Sequence, residues 1–222
     1  MAKTLVIVES PGKVKKISGF LGKNYVVRAS VGHIYDLSTK DKKYPLGVDI
    51  DNDFTPKYRI SPDKKDVVAS LIDASKGCNK ILLATDSDKE GEAIAFNLKD
   101  CLESTGIPIN RIMFNAITKS AIQKAVKNPG PLNDQLYSAQ QARRVLDRIV
   151  GFLASDQLRS FFGPNISAGR VQSVALRLVV DREREIEAFV PEEFWNISAN
   201  VAETAKSESF NIKYINKVNN ET

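Results

Sequence analysis

Ile81-Leu-Leu-Ala-Thr-Asp86-Ser-Asp-Lys-Glu-Gly-Glu92 is the stretch that decides the fold. Ile81–Thr85 is a short apolar run bounded by turn residues, and it reads as a buried strand. Asp86, Asp88 and Glu90 then emerge at its carboxyl end, where open α/β sheets place their ligands. Carboxylates packed this closely repel one another, by ~4 kcal/mol per pair at about 4 Å if the effective dielectric is near 20. A bound cation relieves that repulsion. Oxygen donors with no His or Cys beside them in the chain point to Mg²⁺ rather than zinc. The competing reading is that these acids only cap the next helix, whose first-turn N–H groups favour negative side chains.

A second carboxylate weakens that alternative. Leu5-Val-Ile-Val8 is another short buried-strand run, and Glu9 follows it at once. Ser10-Pro11 reads as an N-cap and first helical residue, because proline's missing N–H costs nothing there. Two strands of one parallel sheet would deliver Glu9 and the Asp86 cluster to the same edge. Lys13 and Lys16 project from the first turns of the following helix. A lysine in such a place either stabilises a phosphate or is an ordinary solvated side chain. Together these groups suit a phosphodiester.

Outward from the two strands, residues 1 to about 127 alternate strand and helix signals, the pattern of a doubly wound α/β domain. A helix at Lys13–Leu21 leads to a strand at Tyr25–Ala29. A long polar loop covers His33 to Ile60, with a short strand near Phe54–Ile60. Ser61-Pro62-Asp63 starts a helix whose apolar face is Val67, Val68, Leu71 and Ile72. Ala93, Ile94, Leu98 and Cys101 form the inner face of the helix after the acidic run. Arg111–Phe114 reads as a strand, and Thr118 caps a helix ending near Lys127. Asn128-Pro-Gly-Pro131 is a strong break. Beyond it the periodicity is helical: one helix over Leu132–Gly151, a shorter one to Phe161, and a long one from about Arg170 to Phe189 that Pro191 ends. Phe194–Val201 and Phe210–Ile215 alternate like strands, and Asn216–Thr222 reads as a frayed polar end.

The 222 residues carry a net charge of +5, which suits an anionic partner but also fits many ordinary basic proteins. The basic residues are unevenly distributed. Up to Lys127 they are mostly lysine, whereas Asn128 to Ala205 contains arginine and no lysine. Guanidinium forks grip phosphates bidentately, so the arginine segment is the better candidate for a phosphate-bearing partner, the alternative being a mere drift in surface composition. Cys78, placed in a turn, and Cys101 match no metal spacing and form no disulfide framework. A reducing, cytoplasmic setting is expected. No secretory signal or bilayer-length apolar run is present, so no membrane partner is expected.

Several motifs carry a family resemblance. Leu5-Val-Ile-Val-Glu-Ser-Pro-Gly-Lys13, Ser30-Val-Gly-His-Ile-Tyr-Asp-Leu37 and Ala84-Thr-Asp-Ser-Asp-Lys-Glu-Gly-Glu-Ala93 resemble successive motifs of the Toprim domain of bacterial type IA DNA topoisomerases. Asn115-Ala-Ile-Thr-Lys119, Ala139-Gln-Gln-Ala-Arg-Arg-Val-Leu-Asp-Arg148, Ser167-Ala-Gly-Arg-Val-Gln-Ser173 and the segment Asp181 to Trp195 continue it in order. The resemblance implies a Toprim domain over 1–127, with a Rossmann-like and mainly parallel sheet. A helical DNA-binding segment over 128–191 and the start of a β-rich arch domain over 192–222 would follow.

The chemistry implied is a transesterification, in which a tyrosine attacks a DNA phosphodiester and keeps a 5′-phosphotyrosyl link until religation. On that pattern Glu9 lies by the scissile phosphate, and Lys13 stabilises its developing charge. Asp86, Asp88 and Glu90, with Glu9, would hold Mg²⁺. His33 and Asp36 resemble DNA-contacting positions. So do Arg143, Arg144, Asp147 and Arg148, with Arg144 and Asp147 expected to orient each other. In the last motif Ser167, Gly169, Arg170 and Gln172 would meet the strand near a helix start. Ser87, Lys89 and Val174 depart from the family's usual residues, and Lys89 replaces an arginine fork.

The family's Tyr-x-Arg-Thr-Asp-Ser-like motif does not occur in these 222 residues. The expectation is therefore the amino-terminal portion of an enzyme that relaxes negative supercoils. It would be a monomer in the nucleoid, partnered by single-stranded or underwound DNA and by its own carboxyl-terminal domains, and inactive alone. A free-standing Toprim nuclease or primase-like enzyme, or a non-catalytic DNA-binding remnant, are the competing readings.

Overall fold

The computed structural model describes residues 3–204 and 208–215. The chain begins with β1 (Lys3–Val8), α1 (Pro11–Leu21) and β2 (Tyr25–Ala29). Four short strands follow: β3 (Tyr35–Leu37), β4 (Val48–Asp49), β5 (Thr55–Pro56) and β6 (Tyr58–Ile60). Then come α2 (Lys65–Ser75), β7 (Cys78–Ala84), α3 (Lys89–Leu102), β8 (Ile109–Arg111), α4 (Lys119–Lys127) and α5 (Asp134–Phe162). The order closes with α6 (Arg170–Glu187), β9 (Ser198–Val201) and β10 (Phe210–Lys213). The chain divides into two compact units, residues 1–170 and 171–222.

The first unit is built on a four-stranded sheet of order β2-β1-β7-β8, parallel throughout. Alternate residues of each strand face opposite sides of a sheet, and here both sides are apolar. Leu5, Ile7, Ile81 and Leu83 pack with Val68, Leu71 and Leu98 of α2 and α3. Val6, Val8, Leu82 and Ala84 pack with Ile17 of α1 and Ile122 of α4. A sheet covered on both faces needs continuous apolar strands rather than alternating ones, and β1 and β7 have them. The doubly wound α/β domain expected from the sequence is what forms. Val8 pairs with Ala84, so the residues after β1 and β7 leave the sheet side by side.

Several local expectations are corrected. The stretch from His33 to Ile60 is not one loop with a single strand but two antiparallel ribbons, β3 with β6 and β4 with β5. The strand expected at Arg111–Phe114 lies at Ile109–Arg111, where Ile109 pairs with Ile81. Cys78 is the first residue of β7 rather than part of a turn. The two helices expected over 132–161 are one of 29 residues, α5. A single glycine in a helix costs only about 1 kcal/mol against alanine, so Gly151 does not end it. A Cβ on it would meet the Ala168 carbonyl oxygen at 3.7 Å. Ser155 clips the same segment, its Oγ accepting from the Ala168 N–H (2.9 Å) and donating to the Ala168 carbonyl (3.2 Å).

The second unit holds α6 from Val171 onward and the antiparallel pair β9–β10, registered from Phe210↔Val201 to Lys213↔Ser198. α6 ends at Glu187, two residues before the expected end and ahead of Pro191. The frayed end expected over 216–222 lies outside the described residues. Among those residues no helix is long and apolar enough to cross a membrane.

Candidate functional site

Ser10 caps α1 as expected, its Oγ accepting from the Gly12 N–H at 3.3 Å, and Pro11 begins the helix. That start fixes Glu9 at the sheet edge and sends Lys13 across to Asp86, with which it forms a close ion pair. Asp88 caps α3, its Oδ1 accepting from the Gly91 N–H at 2.7 Å. Glu90 takes two contacts through Oε2, His33 Nε2 at 3.0 Å and Gln140 Nε2 of α5 at 3.1 Å. His33 thus joins the acidic edge, although no histidine stands near that run in the sequence. Gly91 makes the geometry possible. A Cβ there would lie 2.1 Å from the Asp86 carbonyl oxygen, so only glycine lets α3 start this tightly under the loop. On the other side, Val31 holds a φ of 58°, a conformation costly for a β-branched residue, and Gly32 one of 81°. The Gly32 N–H reaches the Glu9 carbonyl at 3.1 Å, which ties this strained turn to the site.

Glu9, Asp86, Asp88 and Glu90 therefore share one sheet edge, each with its own local engagements. Among the described residues no three acidic, His or Cys side chains converge into a ready-made cage. The donors still fit Mg²⁺. All are hard oxygens, the Asp86 and Glu90 side chains are 48% and 55% exposed, and Mg²⁺ usually takes one or two carboxylates while keeping several waters.

Beneath this edge lies a buried ion pair. Arg111 and Glu92 side chains are 1% and 2% exposed, with Nε and Oε2 3.0 Å apart. The Arg111 guanidinium donates to the carbonyls of Leu83, Thr85 and Ile112 from Nη1 and to that of Asp86 from Nη2, at 2.7–3.0 Å. The other oxygen of Glu92 accepts from the N–H of Asn133 at 2.7 Å. Asn133 is itself the N-cap of α5. One guanidinium thus holds the Asp86 loop, and its carboxylate partner holds the start of α5.

α5 carries the arginine face. Arg144 and Arg148 both donate to Asp36 Oδ1, at 2.7 and 3.3 Å. The expected Arg144–Asp147 pair does not form, because Arg144 turns to β3 instead. Asp147 receives Arg170 on both oxygens, at 2.7 and 3.2 Å, and Arg143 at 3.8 Å. Burial works to raise the Asp36 carboxyl, but the Arg144 and Leu37 hydrogen bonds and the Arg144 and Arg148 charges outweigh it and hold it below the ordinary value. The Arg170 hydrogen bond, with the charges of Arg170 and Arg143, likewise lowers Asp147. The Arg148 guanidinium sits 4.9 Å from the ring centre of Phe152, which is 43% exposed. Ser167 and Gly169 lie in the segment before α6. Gln172 belongs to the second unit.

Sequence reasoning missed Gly91, Glu92, Arg111, Gln140 and Phe152. A glycine inside the first turn of an acidic helix start was the available signal for Gly91. Nothing in the local pattern distinguishes the buried Glu92 from its solvated neighbours.

With this geometry in hand, comparison with known proteins is decisive. The Toprim domain family matches residues 4–117, and a second family described as DNA topoisomerase matches 131–222. DNA topoisomerase 1 of Salmonella typhimurium is 47% identical over 90% of this chain and 26% of its own length. The Streptomyces coelicolor enzyme is 49% identical over 90% of the chain and 22% of its own length. Full-length topoisomerase I from Thermotoga maritima superposes with a TM-score of 0.76 at 42% identity, over 96% of this chain and 35% of that one. The chain is a Toprim protein. It belongs to the bacterial type IA DNA topoisomerases, as the part that bears their Toprim domain. It spans about a quarter of the length of the curated relatives it matches.

Proposed function

We propose that this chain supplies the metal-binding and strand-holding part of a type IA topoisomerase, within an enzyme that cuts and reseals one DNA strand to relax negative supercoils. One observation carries the reading: the Lys13–Asp86 and His33–Glu90 pairs stand at the sheet edge, and Gln140 ties Glu90 to the helix bearing Arg144 and Arg148. Asp86, Asp88 and Glu90, with Glu9, would hold Mg²⁺, which supplies positive charge beside the phosphodiester. Lys13 would add a second positive charge there. Among the described residues neither Glu9 nor Asp88 pairs with a side-chain cation, and Glu9, which does not cap a helix as Asp88 does, is suited to hold the proton of the departing 3′-hydroxyl. His33 orients Glu90. Arg143, Arg144, Arg148 and Arg170 grip phosphates, with Asp36 and Asp147 fixing their forks. Ser167, Gly169 and Gln172 would continue the track. In this reading 1–127 is the Toprim part, 128–191 the strand-holding part and 192–222 the first strands of the arch. The setting is the cytoplasmic nucleoid, and the chain acts as a monomer with carboxyl-terminal domains of the same enzyme.

The relaxation assay tests this. Purified chain, negatively supercoiled plasmid and Mg²⁺ should give unchanged plasmid and no covalent adduct, because no tyrosine lies in the expected motif. Adding the carboxyl-terminal domains of a relative should restore relaxation. Relaxed closed circles from the chain alone would contradict the proposal, and nicked circles would favour a Toprim nuclease.

A further inference from the structure

A cavity of about 440 Å³ opens between β3, β6, α3 and α5, lined in part by Tyr35, Tyr58, Phe96, Asn97, Asp100 and Tyr137. Its volume is in the range of small-ligand sites. None of its residues belongs to the acidic edge or the arginine face. Phe96 and Tyr137 stack with centroids 4.2 Å apart and planes 7° apart, which makes a rigid aromatic wall. The Tyr35 hydroxyl donates to Asp100 Oδ2 at 2.9 Å, leaving Oδ1 of that carboxylate to accept from a ligand.

Asn97 is the telling residue. It is 7% exposed, lines the cavity, and among the described residues its carboxamide has no hydrogen-bond partner. Its carboxamide is not among the fully buried unpartnered groups, so it is reached from the cavity and can pair with what the cavity takes in. Burial pushes the Tyr58 phenol up to about 12 and raises that of Tyr137, so both stay neutral donors.

We propose that this cavity binds an amino-bearing nucleobase, adenine best. The lining, Tyr35 and Tyr58 with the Phe96–Tyr137 stack, is aromatic enough to suit a planar heterocycle. A carboxamide matches adenine's donor–acceptor edge bidentately, and a carboxylate accepts from an exocyclic amino group. Thymine's N3–H and O4 could also meet the carboxamide, but it has no amino group for the Asp100 carboxylate to accept from and presents that carboxylate with a carbonyl oxygen instead. Tyr58 pairs with Leu37, the neighbour of Asp36, and packs in the cluster that holds Val145 of α5, so the cavity borders the arginine face. A base can therefore come from a bound strand or from a free nucleoside. Only the strand source rests on the proposed DNA-holding function.

Saturation-transfer NMR and equilibrium dialysis of the chain with adenosine and thymidine test this. Adenosine should bind, with thymidine weaker by roughly ten-fold or more. Asn97→Leu should remove adenosine binding. Because Asn97 is buried, Asp100→Asn provides a surface variant, expected to weaken adenosine while leaving the circular dichroism spectrum unchanged. Short dA and dT oligonucleotides then separate the sources. A dA preference lost in Asn97→Leu supports a strand base, and equal oligonucleotide affinities with adenosine still binding support a free nucleoside. Absence of adenosine binding, or equal binding of adenosine and thymidine, overturns the proposal. Salt-dependent oligonucleotide binding in that same sample would show that the strand-holding function stands without it.

Discussion

The acidic edge of the sheet and the arginine face of α5 carry opposite charge and are braced in opposite ways. At the edge, Glu9, Asp86, Asp88 and Glu90 outnumber Lys13 and His33, and each pairing is a single contact by a partly exposed side chain. On α5 and at the start of α6, Arg143, Arg144, Arg148 and Arg170 answer, among the described residues, only Asp36 and Asp147, and the contacts are shared or bidentate. The first arrangement leaves negative charge that a cation can relieve. The second leaves positive charge already held in a fixed shape, as a surface must be to grip phosphates without reordering. Arg111 and Glu92 join the two from below, which gives the contrast a common foundation.

Breaking that foundation should have the largest effect. Arg111→Ala leaves Glu92 charged and unpaired in the core, and unfolding by denaturant should show a loss of about 3–5 kcal/mol. A loss below about 1 kcal/mol would mean the two surfaces are held independently of this pair.

The next effect falls on α5 alone. Arg144→Ala with Arg148→Ala should reduce the slope of log affinity against log salt for single-stranded DNA by about 0.7 unit per lost phosphate contact. Lys16→Ala, on the lysine-rich side, should change it little. An unchanged slope in the double variant would reduce these arginines to a structural role.

The smallest effect concerns Asp36. Its carboxyl is lowered on folding, so its contribution is complete above the ordinary aspartate value near 3.9. It is lost as pH falls through the lower folded value. The side chain is 47% exposed, so solvent screening keeps the term under about 1 kcal/mol. Asp36→Asn should flatten the acid limb of a stability–pH curve by that amount. An identical limb would show that the Arg144 and Arg148 contacts do not bind Asp36 more tightly when it is charged.

What was legible in the sequence depended on periodicity and caps. β1 and β7 announced themselves as unbroken apolar runs, and Ser10-Pro11 and Thr118 marked their helices because capping is local chemistry. The joint placement of Glu9 and Asp86 followed from parallel pairing alone. The continuity of α5 through Gly151 was not legible, since a glycine there reads as a helix stop although a single one costs only about 1 kcal/mol. The partner of Arg144 was misjudged for a related reason. A helix neighbour at Asp147 is visible in the chain, while Asp36, 108 positions away, is not. Glu92 was not singled out because only the fold decides which carboxylate of the run turns inward.

The most direct test asks whether the two surfaces serve one strand. Fe²⁺ can replace Mg²⁺ at oxygen sites, and with ascorbate and peroxide it cuts whatever lies beside it. A labelled single strand bound to the chain should be cut at one or two adjacent nucleotides. Asp86→Asn with Asp88→Asn should abolish that cutting while binding persists, and Arg144→Ala with Arg148→Ala should blur it. Cutting spread evenly along the strand, unchanged in the acidic double variant, would contradict a metal at this edge acting on the strand that α5 holds.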